Sequence, residues 1–151
     1  MLCFLILLQL FYILSMFTST TQIRVRYAET DKMGYVYYGN YATYYEVGRV
    51  EGLRDLGLSY LKMEEEGIML PVLEFQIKYF KPAFYDDLLT IKTTITQVKG
   101  ARIFFEYETL NEANEVLNKG TTTLVFVSRA SNKPCPPPDW FVHKMNLKIT
   151  D

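Results

Sequence analysis

Only one stretch of this chain reads as a long helix, Asn40 to about Leu56, and a short second helix, Ser59 to Glu66, is all that separates it from four strand-like segments. A long helix must bury one face, and a run of meandering strands supplies one sheet to bury it against. The order therefore predicts an α+β fold, with a twisted antiparallel sheet of about five strands wrapped around one long helix. Asn40 is placed to cap the helix and Gly57 to follow its last turn. Gly48 and Gly52 stack on one face, and each costs about 0.5–1 kcal/mol relative to alanine in a helix interior. Close approach of the helix to the sheet is the reading that offsets this. A membrane GxxxG contact is excluded by Glu46, Arg49, Glu51, Arg54 and Asp55 on the same helix.

The strands follow from period-two alternation. Gln22 to Tyr27 sets Ile23 and Val25 against Arg24 and Arg26. Leu70 to Phe80 sets Leu73, Phe75, Ile77 and Tyr79 against Glu74, Gln76 and Lys78, and Pro82 closes it. Leu88 to Val98 and Arg102 to Leu110 flank a Lys99-Gly100 turn. Val116 to Arg129 is apolar on both faces at Leu124-Val125-Phe126-Val127, which predicts a strand inside the sheet. Pro134 to Pro138 ends the fold, and Asp139 to Asp151 reads as a loosely held tail. The division is an apolar extension at 1–15, one domain at 16–133 and a Pro-rich tail at 134–151.

The chain has 151 residues and a net charge of −1, enough for one domain with a real core and without the basic face a nucleic-acid partner needs. Cys3 and Cys135 form neither a metal spacing nor a disulfide framework, so a reduced, cytoplasmic compartment is expected. His143 is the single histidine, which argues against a Ser-His-Asp triad, a Cys-His pair or a multi-histidine metal site. Residues 2–17 are almost wholly apolar, yet short of the roughly 20 a spanning helix needs and without the basic start of a signal peptide. Met16 is read as the functional start; the alternative is an inner-membrane anchor through residues 2–17.

Chemistry concentrates where Asp31-Lys32 and Glu46 bracket thirteen uncharged residues, which with Tyr27 hold seven of the twelve tyrosines. Asp31 opens the stretch, and Gly34 and Gly39 punctuate it. A carboxylate beside a glycine-broken turn that runs into a helix start has the parts of an acyl-transfer site. The carboxylate can attack or act as base, and free helix-start amides can hold an oxyanion. The plainer reading of Asp31 is a turn cap. Tyr35, Tyr37, Tyr41, Tyr44 and Tyr45 read first as core and interface, and Lys78, Lys81, Lys99 and Arg102 as solvated charges before phosphate ligands.

The run Arg24-Val25-Arg26-Tyr27-Ala28-Glu29-Thr30-Asp31-Lys32-Met33-Gly34-Tyr35-Val36-Tyr37-Tyr38-Gly39-Asn40-Tyr41, with Tyr45-Glu46, Arg49 and Lys81-Pro82-Ala83, resembles the hot-dog-fold acyl-CoA thioesterases. It is most similar to the 4-hydroxybenzoyl-CoA thioesterase family, near the branch associated with the bacterial Tol-Pal system. The resemblance implies that Asp31 is the catalytic carboxylate and that the Tyr38 backbone amide polarises the thioester carbonyl. It places Tyr27, Gly34, Val36, Tyr37 and Gly39 around the substrate. The near branch carries histidine where this chain has Tyr38; a backbone role survives that change and a side-chain acid–base role does not.

The expected activity is hydrolysis of a small, medium or aromatic acyl-CoA to acid and CoA, without metal or redox cofactor, CoA being part of the substrate. Acyl carrier protein thioesters are an alternative substrate. The exposed sheet edge and the aromatics suggest a homodimer, and the resemblance implies a site at the dimer interface and a dimer of dimers. The rival readings are a hydratase, which would need His143 in the pocket, and a non-catalytic acyl-binding or scaffolding protein.

Overall fold

The computed structural model describes residues 17–147. Strand β1 (Phe17–Arg24) leads through a 3-10 turn (Tyr27–Glu29) to helix α1 (Asn40–Asp55), short helix α2 (Tyr60–Glu65) and strand β2 (Ile68–Met69). Strands β3 (Val72–Tyr79), β4 (Leu88–Lys99), β5 (Arg102–Leu110) and β6 (Val116–Val125) follow. The short β7 (Val127–Ser128) and β8 (Lys133–Pro134) and helix α3 (Asp139–Leu147) complete the order. The main sheet runs β1-β4-β5-β6-β3 with every pairing antiparallel; β2, β7 and β8 form a small second sheet. The expected five strands around one helix are therefore present.

Close approach explains the helix glycines. A Cβ at Gly48 would stand 2.5 Å from the Thr93 hydroxyl and 2.9 Å from Ile91, and one at Gly52 would collide with Ser19. The N-terminal half of α1 buries large rings instead. Tyr45 lies stacked on Tyr107 at 4.2 Å, and its hydroxyl donates to the buried Asn118 at 2.6 Å. The core between helix and sheet is completed by Leu53, Leu89, Ile91, Ile103, Phe105 and Leu124.

Four expectations change. β1 pairs with β4 from Phe17–Ile95 to Arg24–Leu88, so the Thr18–Thr21 run is strand, and Tyr27 falls in the turn beyond it. The last long strand breaks at Phe126, and Val127 leaves for the second sheet. Gly39, not Asn40, is the N-cap of α1, and it has no side-chain cap bond. Residues 139–147 are helix rather than a loose tail. Phe141 is fully buried against Phe126, the Trp140 indole donates to Glu66 at 2.6 Å, and the Lys144 ammonium donates to the Gly57 carbonyl at 2.6 Å. Three apolar or bonding anchors spaced along one short helix supply the docking that a Pro-rich lead-in hides from a sequence reading. The apolar run to residue 16 lies outside the described residues. Among the described residues no helix is long and apolar enough to cross a membrane.

Candidate active site

The segment between β1 and α1 is built as a stapled loop. Asp31 to Gly34 is a tight turn: the Gly34 N–H donates to the Asp31 carbonyl at 2.9 Å, and Gly34 takes φ 84°, which favours glycine. The Asp31 side chain accepts the Met33 N–H at 2.8 Å through Oδ1. Asp31 is thus the turn cap of the plainer reading, and its other oxygen has no hydrogen-bond partner among the described residues. Two bridges hold the turn: Thr30 pairs with Val36, and Tyr35 pairs with Phe84 of the β3–β4 connection.

Glu29 ties this loop to the helix. Its buried carboxylate accepts the Arg26 N–H at 2.8 Å, the Arg26 guanidinium at 2.9 and 2.5 Å, and the Tyr44 hydroxyl at 2.8 Å. Burial opposes its ionisation, but these hydrogen bonds outweigh burial and hold its pKa below the usual carboxylate value. The Tyr44 phenol is pushed up by burial and by its bond to Glu29. The Glu29 carbonyl accepts the Tyr37 N–H at 2.9 Å and the Asn40 side-chain amide at 2.7 Å. Asn40 therefore serves the helix start from its first helical position, by binding the loop rather than the helix.

Helix α1 begins open. Among the described residues, neither the Tyr38 nor the Gly39 N–H makes a hydrogen bond, and both residues are exposed, Tyr38 at 65%. The unsatisfied amides of a helix N-terminus carry partial positive charge. Asp31 and Tyr38 line one cavity of about 400 Å³ together with Met33, Tyr35, Val36, Tyr41, Tyr79, Phe80, Lys81 and Pro82. One residue with an unpaired carboxylate oxygen and one with an unpaired amide donor thus line the same aromatic pocket, and attack on a carbonyl and stabilisation of its oxyanion require those two kinds of group. Burial raises the Tyr41 phenol to about 12, so it stays protonated at neutral pH. At the rim, Lys81 is paired with Glu115.

Of the residues singled out in the sequence, Asp31, Tyr38 and Val36 line this cavity, and Tyr27, Gly34, Tyr37 and Gly39 do not. Tyr27 is 78% exposed, with its ring edge-on to Tyr85. Tyr37 lies over Gly39, where an added Cβ would meet its ring at 2.7 Å, and beside the Tyr38 ring at 4.7 Å. Its phenol is raised above the usual value by the neighbouring Tyr38 phenol and by the Asp31 charge. Tyr79 to Pro82, from the end of β3 and the turn after it, also line the cavity; the alternation marks Tyr79 and Phe80 only as strand, whereas Lys81-Pro82-Ala83, which interrupts it, belongs to the run that carries the resemblance. His143 lies on α3 and is exposed, outside the cavity.

Residues 25–145 match the family model described as the thioesterase-like superfamily. YneP of Bacillus subtilis, provisionally named an acyl-CoA thioesterase, is 39% identical over 83% of this chain and 94% of its own length. The acyl-CoA thioester hydrolase YbgC of Escherichia coli is 34% identical over 74% of this chain and 84% of its own. Among solved structures, a DHNA-CoA thioesterase from Staphylococcus aureus is 39% identical with a TM-score of 0.81, covering 88% of this chain and 91% of that one. A 4-hydroxybenzoyl-CoA thioesterase, 19% identical with a TM-score of 0.76 over 85% of this chain and 98% of that one, shares the hot-dog fold.

Proposed function

The chain belongs to the thioesterase-like superfamily, and on that footing we propose that it is an acyl-CoA thioesterase, hydrolysing small to medium or aromatic acyl-CoA esters to the free acid and CoA. The observation that supports the reading is the shared cavity: Asp31 and Tyr38 both line one aromatic pocket at the start of α1, and the Tyr38 N–H has no hydrogen-bond partner among the described residues. With the thioester carbonyl against the Tyr38 N–H, the free oxygen of Asp31 acts on its carbon. Either it adds directly, expelling the CoA thiolate and leaving an acyl-aspartate anhydride that water cleaves, or it takes a proton from the water that adds. In both routes the electron pair of the broken C–S bond leaves with sulfur. The charge that develops on the carbonyl oxygen meets the helix-start amide, a donor of the kind worth about 3–4 kcal/mol elsewhere.

The ring-lined cavity and the naming of the S. aureus relative support an aromatic acyl group within this class. No metal or redox cofactor enters the proposal, since a thiolate leaves without Lewis-acid help. Among the described residues β3 has no neighbour on its outer edge, and it exposes Val72, Leu73, Phe75 and Tyr79, the last of which lines the cavity. A second copy paired along it would cover this apolar edge and complete the pocket, and two such dimers would form the tetramer. The proposed compartment is the reduced cytoplasm.

The test is thiol release from short, long and aromatic acyl-CoA esters and an acyl carrier protein thioester, by this chain and by Asp31→Asn. The asparagine keeps an oxygen for the Met33 N–H but cannot attack or take a proton. The expected loss in kcat is about 10³-fold, with the fold intact. Binding of acyl-CoA without turnover by the parent chain would instead support a scaffolding role.

A further inference from the structure

Tyr38 carries the proposed oxyanion donor, yet its surroundings are poor in restraint. The N-cap Gly39 offers no side chain, and the Tyr38 carbonyl receives only a long bond, 3.4 Å, from the Tyr41 N–H within the helix. An uncapped first turn frays. Here a second donor reaches it from the sheet: the Tyr79 hydroxyl, at the end of β3, donates to the Tyr38 carbonyl at 3.0 Å. The Tyr79 ring packs on that of Tyr41 at 5.5 Å, and Tyr41 is buried, so the hydroxyl is delivered by a fixed wall.

The two peptide planes that meet at the Tyr38 Cα are thereby both held. The preceding one carries the Tyr38 N–H, and its Tyr37 carbonyl accepts the Asn40 N–H at 3.0 Å. The following one is pinned by Tyr79. Fixing both planes fixes the backbone torsions of Tyr38, and with them the direction of its N–H. We propose that Tyr79 is a positioning residue for thioester hydrolysis, its hydroxyl pinning the Tyr38 carbonyl and so holding the Tyr38 amide in one orientation at the cavity. The inference rests on the thioesterase reading of the site. It also gives β3 a second task, since the strand that offers the open sheet edge also sets the geometry of the helix start.

Tyr79→Phe keeps the ring against Tyr41 and removes only the hydroxyl. An amide that is aimed less well loses most where the oxyanion is fullest, in the transition state. The expected result is a kcat about three- to tenfold lower with KM changed less than about twofold, the size of one neutral hydrogen bond. The unfolding midpoint should stay at the parent value, while amide hydrogen exchange quickens at Asn40 and Tyr41 and not at Leu53 and Leu56. Tyr79→Leu, which also removes the ring, should raise KM in addition. An unchanged kcat in Tyr79→Phe, or a rise in KM alone, would make Tyr79 a pocket wall and overturn the inference while leaving the thioesterase reading in place. A parent chain that cleaves no thioester would overturn both.

Discussion

The two ends of α1 are built on opposite principles. At the C-terminal end every device of helix termination is present. Gly57 takes φ 70°, its N–H reaches the Arg54 carbonyl at 2.7 Å, and the Leu58 N–H reaches the Leu53 carbonyl at 2.8 Å. Leu53 and Leu58 are both buried beside this turn, and Lys144 of α3 closes over the Gly57 carbonyl. Such an arrangement spends its polar groups on itself. At the N-terminal end the cap residue has no side chain, and two amides have no hydrogen-bond partner among the described residues. Leaving donors unpaired on an exposed first turn sacrifices stability, and the same donors are what a carbonyl substrate needs. One helix thus carries a satisfied end that anchors it and an unsatisfied end available for chemistry.

The contrast breaks first at Glu29, because the open end borrows its order from that buried carboxylate. In Glu29→Gln the amide cannot accept from both Arg26 and Tyr44 as a carboxylate does, and a loss of about 1.5–3 kcal/mol in unfolding free energy at neutral pH is expected. The pH dependence has a definite sign. The folded pKa lies below the ordinary carboxylate value of 4.5, so the stabilisation is fully present above that value and is lost as pH falls through the folded one. Denaturant midpoints of parent and variant should therefore differ most near neutrality and converge on acidification below about pH 4.5. A gap that stays constant from neutrality down to acid would mean that the charge on Glu29 contributes nothing.

These two ends were not equally legible in the sequence. The closed end was, since Gly57 after a run of helical positions is a local signal and its consequence is local. The helix glycines were legible for the same reason: Gly48 and Gly52 cost too much to be incidental, and Thr93, Ile91 and Ser19 stand where their side chains would have been. The open end was legible only as chemistry. Asp31 could be picked out as a turn residue or a nucleophile, and it occupies the turn through one oxygen while the residue lines the cavity. What could not be read was anything carried by long-range geometry. Tyr79 stands 41 positions from the carbonyl it binds, and nothing in an alternating strand marks which ring will reach a helix. Glu29 resembled any surface acid beside an arginine, and its burial depends on Tyr44 arriving from the helix. Asn40 was misplaced as a cap because its residue type fits that role; the Glu29 carbonyl within its reach is a tertiary fact. Helix α3 was missed in the same way, its anchors being scattered over Glu66, Gly57 and Phe126.

A second break is smaller and reads activity rather than stability. In Gly39→Ala the new Cβ meets the Tyr37 ring at 2.7 Å, and that half-exposed ring must swing away from Tyr38. Gly39 already has right-handed helical backbone angles that alanine adopts without strain, which offsets alanine's weaker preference for the cap position, so the unfolding free energy should move by less than about 1 kcal/mol. Displacing the Tyr37–Tyr38 pair beside the amide should lower kcat about tenfold. Comparing kcat with the thermal midpoint separates the two effects; a fall in both together would make Gly39 a residue of the fold alone.

The smallest effect belongs to the matching change at the other end. Gly57→Ala forces a side chain into the left-handed region at φ 70°, which costs about 1 kcal/mol. The new Cβ would stand 3.2 Å from the Lys144 ammonium, the far end of a flexible chain that can give way. The strain therefore falls on stability, with a small further loss if Lys144 releases the Gly57 carbonyl. Because the satisfied end takes no part in the site, kcat and KM should equal the parent values at any temperature where both proteins are folded. An alanine at 57 that slowed turnover without lowering the thermal midpoint would show that the two ends of α1 are coupled, and the division of the helix into an anchoring end and a reactive end would have to be given up.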